Sequence, residues 1–354
     1  MAAPTPITVL DSAWAVSGSG YQLRAVRRAA EELRTQFAAG PKCLAVRTLP
    51  LTTLPYPTRY AFQGAARSPA PFVTMTHRAL LVQFLQQGQL KHLLFNPSDV
   101  DAAAATPFFA QLRAQFGERV AGLMAKRFEP LESQLAKLGI LPEHVDYVAF
   151  DHFHTQDLRG LLGTVNGAHP KFPNAKLVAS KAEWDDWESL HPMQQAWFIQ
   201  DGRKDVRVDN VILTERDWQL GDGVMILRTP GHTSGNQTLF VNTDSGVWGT
   251  SENGTCADNW SPLESRIRGL RSHVQQLGTD VLLNANTPEF MARQYTSMIL
   301  ERTLVDRVRS APAFVQMFPS SEITPSLLAP GISPTLLHRG IEHGTLVQPK
   351  RHAA

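Results

Sequence analysis

Three histidines carry the strongest chemical signal in the chain. His152 and His154 stand two residues apart directly after an apolar strand at 145–150. His232 sits in Thr229-Pro230-Gly231-His232-Thr233, again after a strand and on a Pro-Gly turn that aims a side chain outward. Neutral imidazole is a good ligand for zinc, iron or manganese, and two rings at i and i+2 converge on one ion where the turn bends both toward it. An H-x-H pair alone is more often an ordinary surface or core pair. A third strand-end histidine favours a shared metal site. Gln156 and Asp157 add an amide and a carboxylate to the same turn.

The elements that must hold these residues read as a mixture of helices and hairpins. Leu23, Val26, Ala30, Leu33 and Phe37 predict an amphipathic helix over 22–38, ended at Gly40. The proline-punctuated stretch 49–71 reads as a loop or extended arm. Strands at 72–84 and 91–95 flank Gln87-Gly88 as a hairpin, and a helix carrying Leu131, Leu135 and Leu138 stops at Gly139. Further strands are expected at 176–179, 219–228, 237–242, 247–250 and 281–283. Sheet-on-sheet packing flanked by helices fits this pattern better than a doubly wound parallel sheet. The expected division is an N-terminal helix and arm (1–70), a catalytic domain (71–300) and a C-terminal helix and tail (301–354), the tail wrapping the active-site edge or a neighbouring subunit.

Composition narrows the classes of partner. The 354 residues are 43% hydrophobic and 19% charged, which suits a globular protein. A net charge of +2 argues against nucleic acid or an acidic membrane as the main partner. No apolar run approaches the eighteen or so residues of a membrane span. Residues 1–20 lack a basic start followed by an apolar stretch, so the cytoplasm is the expected location. Arginines 24, 27 and 28, and 266, 268 and 271, read as solvated faces. Cys43 and Cys256 form neither a disulfide framework nor a metal-type pair. A small-molecule substrate is the expected partner, and a homodimer stays open.

The order His152-Phe153-His154-Thr155-Gln156-Asp157, then Pro-Gly-His232, then a strand and Glu252, resembles the metallo-β-lactamase superfamily. That family's signature is H-x-H-x-D-H, a later glycine-histidine, an aspartate after a strand and a late histidine. The likeness runs over about 72–286 and is nearest to acyl-homoserine lactone lactonases. Leu138-Gly139-Ile140, Asp146-Tyr147-Val148 and Pro173-Asn174-Ala175-Lys176 share their character. The resemblance implies an α/β protein, an αββα sandwich of two mixed sheets packed face to face with helices outside. It further implies a metal-dependent hydrolase with two metal ions at one edge.

Carried over by position, the first metal site is intact, with His152, His154 and His232 as its ligands, and zinc is its expected occupant. The second site departs from the family. Gln156 stands at the aspartate, Asp157 at the histidine, Glu252 at the bridging aspartate and Asn286 at the late histidine. Either that site is lost, or it is rebuilt from Asp157, Glu252, Asn286 and Gln156 for a second zinc, manganese, iron or other ion. The coordinating character of all four replacements favours rebuilding. Metal-activated water would then attack an ester, lactone or amide carbonyl, with Asp157 as general acid/base. Thr255 stands where the lactonases place a carbonyl-holding tyrosine. Two rival readings are a catalytically silent binding or scaffold protein and a redox enzyme with an iron site.

Tryptophans 184, 187, 197 and 218 suggest a lid or pocket wall within 185–217, and Asn253, Asp258 and Trp260 a further lining segment. Asp99 reads as a turn residue, and His77 as an ordinary surface or core residue.

Overall fold

The computed structural model of the protein describes residues 4–349. Its strands in chain order begin with β1 (Thr5–Ile7), β2 (Ala45–Pro57), β3 (Phe72–Gln86), β4 (Gln89–Phe95), β5 (Tyr147–Ala149) and β6 (Lys176–Ser180). There follow β7 (Val211–Thr214), β8 (Asp217–Gly221), β9 (Val224–Arg228), β10 (Gln237–Thr243) and β11 (Gly246–Thr250). The last four are β12 (Arg307–Val308), β13 (Ala311–Val315), β14 (Ser321–Thr324) and β15 (Glu342–Gly344). The larger sheet has the order β15-β2-β3-β4-β5-β6-β7, with β14 paired to the start of β3. It is mixed: β2, β3 and β4 run antiparallel, while β4 to β7 run parallel. The second sheet, β1-β8-β9-β10-β11, is antiparallel.

The two sheets face each other across one apolar layer. Val82, Phe84, Tyr147 and Val178 from the first meet Leu220, Ile226, Leu239 and Val241 from the second. Helices cover the outer faces. The helix Ser19–Ala39 buries Val26, Ala30, Leu33 and Phe37, one stripe at helical spacing, against Met225, Leu227 and Phe240. The helix Met291–Leu304 lies beside it, and the helix Leu131–Lys137 buries Leu131 and Leu135 on the opposite side. This is the expected αββα arrangement. The hairpin turn is also as expected: Gln87 and Gly88 both have positive φ, 52° and 76°, the mirror-image turn that matches strand twist.

Several expectations need correction. The stretch 49–71 is not simply a loop, since its first part completes β2, which pairs with β3 as far as Pro57↔Phe72. Its prolines are tolerated because β15 covers only Ala45 to Arg47 on the outer edge, and Pro50 falls at the register shift before Thr52. A residue without an N–H loses nothing where no acceptor waits. The expected strand 219–228 is a hairpin, β8 and β9. Residues 281–283 are buried but form no strand and join neither sheet; Leu282 instead exchanges hydrogen bonds with Asn259.

The segments set apart as arm and tail both supply strands: β1 and β2 from the first, β14 and β15 from the second. Buried Arg78 ties the tail down, donating to Glu322 at 3.1 Å and to the carbonyls of Pro319 and Arg339. Cys43 and Cys256 are free and buried. No helix among the described residues is long and apolar enough to cross a membrane.

Candidate metal centre

The first two histidines leave the carboxyl end of β5. Between them, Phe153 is buried against Phe150, Trp184 and Trp187, which anchors the loop and leaves His152 and His154 to face the cavity. Thr155 then has φ +63°, a left-handed conformation costly for a β-branched residue. Its N–H donates to the Trp197 carbonyl at 2.7 Å.

His232 lies in the β9–β10 loop, pressed between two helices. A Cβ on Gly231 would come within 2.4 Å of Gln294 Cα, and one on Gly235 within 2.3 Å of the Glu183 nitrogen. Only glycine permits these approaches.

The fold brings the three rings together. One nitrogen from each of His152, His154 and His232 lies within 4.8 Å of the others, and all three side chains are buried. His154 Nδ1 and His232 Nε2 are 3.2 Å apart. The outer nitrogens have acceptors: His152 Nδ1 meets Asp151 Oδ1 and His154 Nε2 meets Gln194 Oε1, each at 2.7 Å. These partners assign the protons to those atoms and leave lone pairs on His152 Nε2 and His154 Nδ1. Burial first, then the neighbouring His152, holds His154 and His232 well below the usual imidazole pKa. Converging ring nitrogens, two of them with lone pairs turned inward, fit a divalent ion; His232 Nδ1 accepts from Asn284 Nδ2 at 3.3 Å, so an ion would displace the proton on its Nε2. The same cavity also borders the buried Gln156 and Asn286, of which Gln156 Oε1 and both amide atoms of Asn286 have no hydrogen-bond partner.

Around the rings is a hydrogen-bonded shell of which sequence reading had marked only Asn253, as part of a lining segment. Asp151 accepts from His152, from Asn96 Nδ2 at 3.1 Å and from the Ser320 hydroxyl. Burial raises the Asp151 carboxyl, but His152 and these hydrogen bonds outweigh it and hold it below the usual range. Glu183 joins the two histidine loops, accepting from Phe153 N at 2.8 Å and Gly235 N at 3.2 Å. Asn253 Oδ1 receives the His232 N–H, and Glu301 receives Asn253 Nδ2. The one signal available for these residues was their polar type inside apolar runs.

The remaining candidates separate. Asp157 does not border the cavity; its carboxylate is bound by the Arg159 guanidinium and backbone N–H, which corrects its assignment as general acid/base and ligand. Thr255 is fully buried and donates to the Ala61 carbonyl, so it offers no substrate contact. Glu252 borders the cavity, but its Oε2 accepts from Ser321 N and it is not grouped with the three rings. Gln156 and Asn286 also border it.

Trp197 forms part of the wall, Trp184 and Trp187 are core, and Trp218 lies in the second sheet. Trp260 is buried against Glu301, and Asp258 binds Ser265 and Thr335. Asp99 caps a short helix, accepting from Asp101 N and Ala102 N. His77 is not an isolated residue: it borders the cavity and bonds Ser98 and Ser321.

Comparison with known proteins agrees with this architecture. No protein-family model matches the chain. An N-acyl homoserine lactonase of Bacillus sp is 29% identical over 110 residues, 31% of this chain and 38% of that protein. One from Bacillus cereus is 28% identical over 112 residues, with the same shares. The chain therefore matches less than two-fifths of the length of these relatives. A crystal structure of a probable metal-dependent hydrolase from Staphylococcus aureus superposes with a TM-score of 0.50 at 14% identity, over 72% of this chain and 83% of that one. The fold is of the metallo-β-lactamase type, and the chain bears a weak sequence likeness to the homoserine lactonases.

Proposed function

We propose that the protein is a metal-dependent hydrolase acting on an ester, lactone or amide-type carbonyl of a small molecule, with zinc held by His152, His154 and His232. One observation carries the reading: three buried imidazoles converge, and two have their outer nitrogen engaged by an acceptor. A divalent ion held there supplies the Lewis acidity that makes water nucleophilic near neutral pH and polarises a carbonyl.

The chain supplies the rest. Asp151 and Gln194 fix which ring nitrogens stay unprotonated. Glu183 holds the two loops in register. Of the acidic candidates, Glu252 borders the cavity and takes over the proton-transfer role first assigned to Asp157. Burial first, and Asp151 second, push its carboxyl well above the usual range, which favours the protonated form that a general acid needs. The named activity of the Bacillus relatives supports lactones and esters as the first substrates to try.

The test is a panel of lactones, carboxylic esters, β-lactams and phosphoesters offered to protein stripped by chelator and reloaded with zinc. Hydrolysis of a lactone or ester that vanishes on chelation, returns with zinc and is absent from His152→Ala is the expected result. Zinc-loaded protein that turns over no member of the panel would overturn the proposal.

A further inference from the structure

Two of the acidic groups near the rings are committed elsewhere, Asp157 to Arg159 and Asp151 to His152, Asn96 and Ser320. Glu252 borders the cavity with one oxygen held by the Ser321 N–H, and serves as the proton donor of the reading above. Where a second ion's remaining ligands would stand there is a pair of neutral amides, Gln156 and Asn286. Two uncharged amide oxygens are poor compensation for dehydrating a second divalent ion, which ordinarily takes carboxylates or imidazoles.

These amides are also unusual in themselves. Gln156 and Asn286 are 4% and 7% exposed, yet Gln156 Oε1 and both amide atoms of Asn286 have no hydrogen-bond partner. Among the described residues, only Asn286 has two such orphaned side-chain atoms. A buried polar atom left unpaired costs about 1–3 kcal/mol, so an interior keeps one where something else completes it.

We propose that the centre holds one ion, and that Gln156 and Asn286 are a substrate-reading amide pair standing where a second ion's ligands would be. This rests on the hydrolase reading above. Two primary amides carry both N–H donors and acceptor oxygens, so their complement is an uncharged group that both donates and accepts, a hydroxyl or a carboxamide. The pair thus selects substrates that carry such a group near the carbonyl under attack.

The experiment titrates cobalt(II) into metal-free full-length protein, followed by visible absorption and elemental analysis, for wild type, Asn286→Leu and Gln156→Leu. The wild type is expected to saturate at about one equivalent. Both variants keep that stoichiometry and a cobalt affinity within about threefold. Their metal-free unfolding temperatures stay level or rise, because an orphaned polar group has been removed. With the ester or lactone found in the panel, kcat/KM falls about tenfold or more, carried mainly by KM. Saturation at two equivalents overturns the inference while leaving the hydrolase reading intact. So does a variant that loses cobalt affinity, which would make the amide a ligand, or one that melts earlier, which would make it structural. Wild type that binds no cobalt overturns the hydrolase reading itself, and this inference with it.

Discussion

His154 Nδ1 and His232 Nε2 face each other at 3.2 Å across a buried cavity, although 78 residues separate them in the chain. As the rings stand, the contact is a hydrogen bond: Gln194 takes the outer proton of His154, Asn284 Nδ2 donates to His232 Nδ1 at 3.3 Å, and His232 Nε2–H donates to His154 Nδ1. A divalent ion bound there would take the place of that shared proton.

Asp151 is expected to set metal affinity without touching the ion. Its carboxylate receives the His152 Nδ1 proton at 2.7 Å, which directs Nε2 inward. Asp151→Asn should weaken zinc binding about 10- to 100-fold, measured by competition with a chromophoric chelator. An unchanged affinity would show that the ring needs no such partner.

Asp157→Ala gives the opposite expectation. The side chain is spent on Arg159 and lies off the cavity, so zinc affinity and kcat should stay within about threefold of wild type. A hundredfold loss of turnover would restore Asp157 to the chemistry.

The contrast between these two neighbours of the histidines shows what the chain's pattern discloses and what it does not. The triad was legible because each histidine follows an apolar strand, and β5 and β9 do end just before them. The helix Ser19–Ala39 and the turn at Gln87-Gly88 were legible from local periodicity and turn chemistry. Asp157 misled because nothing local says that Arg159 folds back onto it. Asp151 was passed over because its partners, Asn96 and Ser320, lie 55 and 169 residues away. β14 is short and polar, and it becomes a strand only through pairing with β3, Ser321 opposite His77. In β2 the prolines concealed a strand that pairs with β3 throughout and is covered on its other edge only in part, by β15 at 45–47 and by a bridge from Arg127 at Thr52.

Glu183 should matter to stability as much as to function. It receives the N–H groups of Phe153 and Gly235 inside the core, and Glu183→Ala leaves both unpaired. Urea unfolding should show a loss of about 2–5 kcal/mol. A loss below about 1 kcal/mol would mean that the two loops do not depend on this clamp.

His338 predicts an acid-side loss of stability. Burial first holds its pKa at about 4, with Glu322 opposing and Arg78 reinforcing, between the rings of Trp248 and Phe318. The folded value lies below the usual 6.5, so the unfolded chain binds the proton first as pH falls. Stability from this residue is present above pH 6.5 and declines between there and about 4. His338→Gln should take up about one proton fewer on unfolding in that window, read from urea midpoints at several pH values. Equal pH slopes for the two proteins would contradict the assignment.

The central claim is tested most directly by anomalous diffraction at the zinc edge from crystals grown with zinc. A single strong peak within about 2.0–2.1 Å of His152 Nε2, His154 Nδ1 and His232 Nε2 is the result this structure requires. Density at that edge only on the protein surface, or three rings turned away from one another around an empty centre, would contradict it.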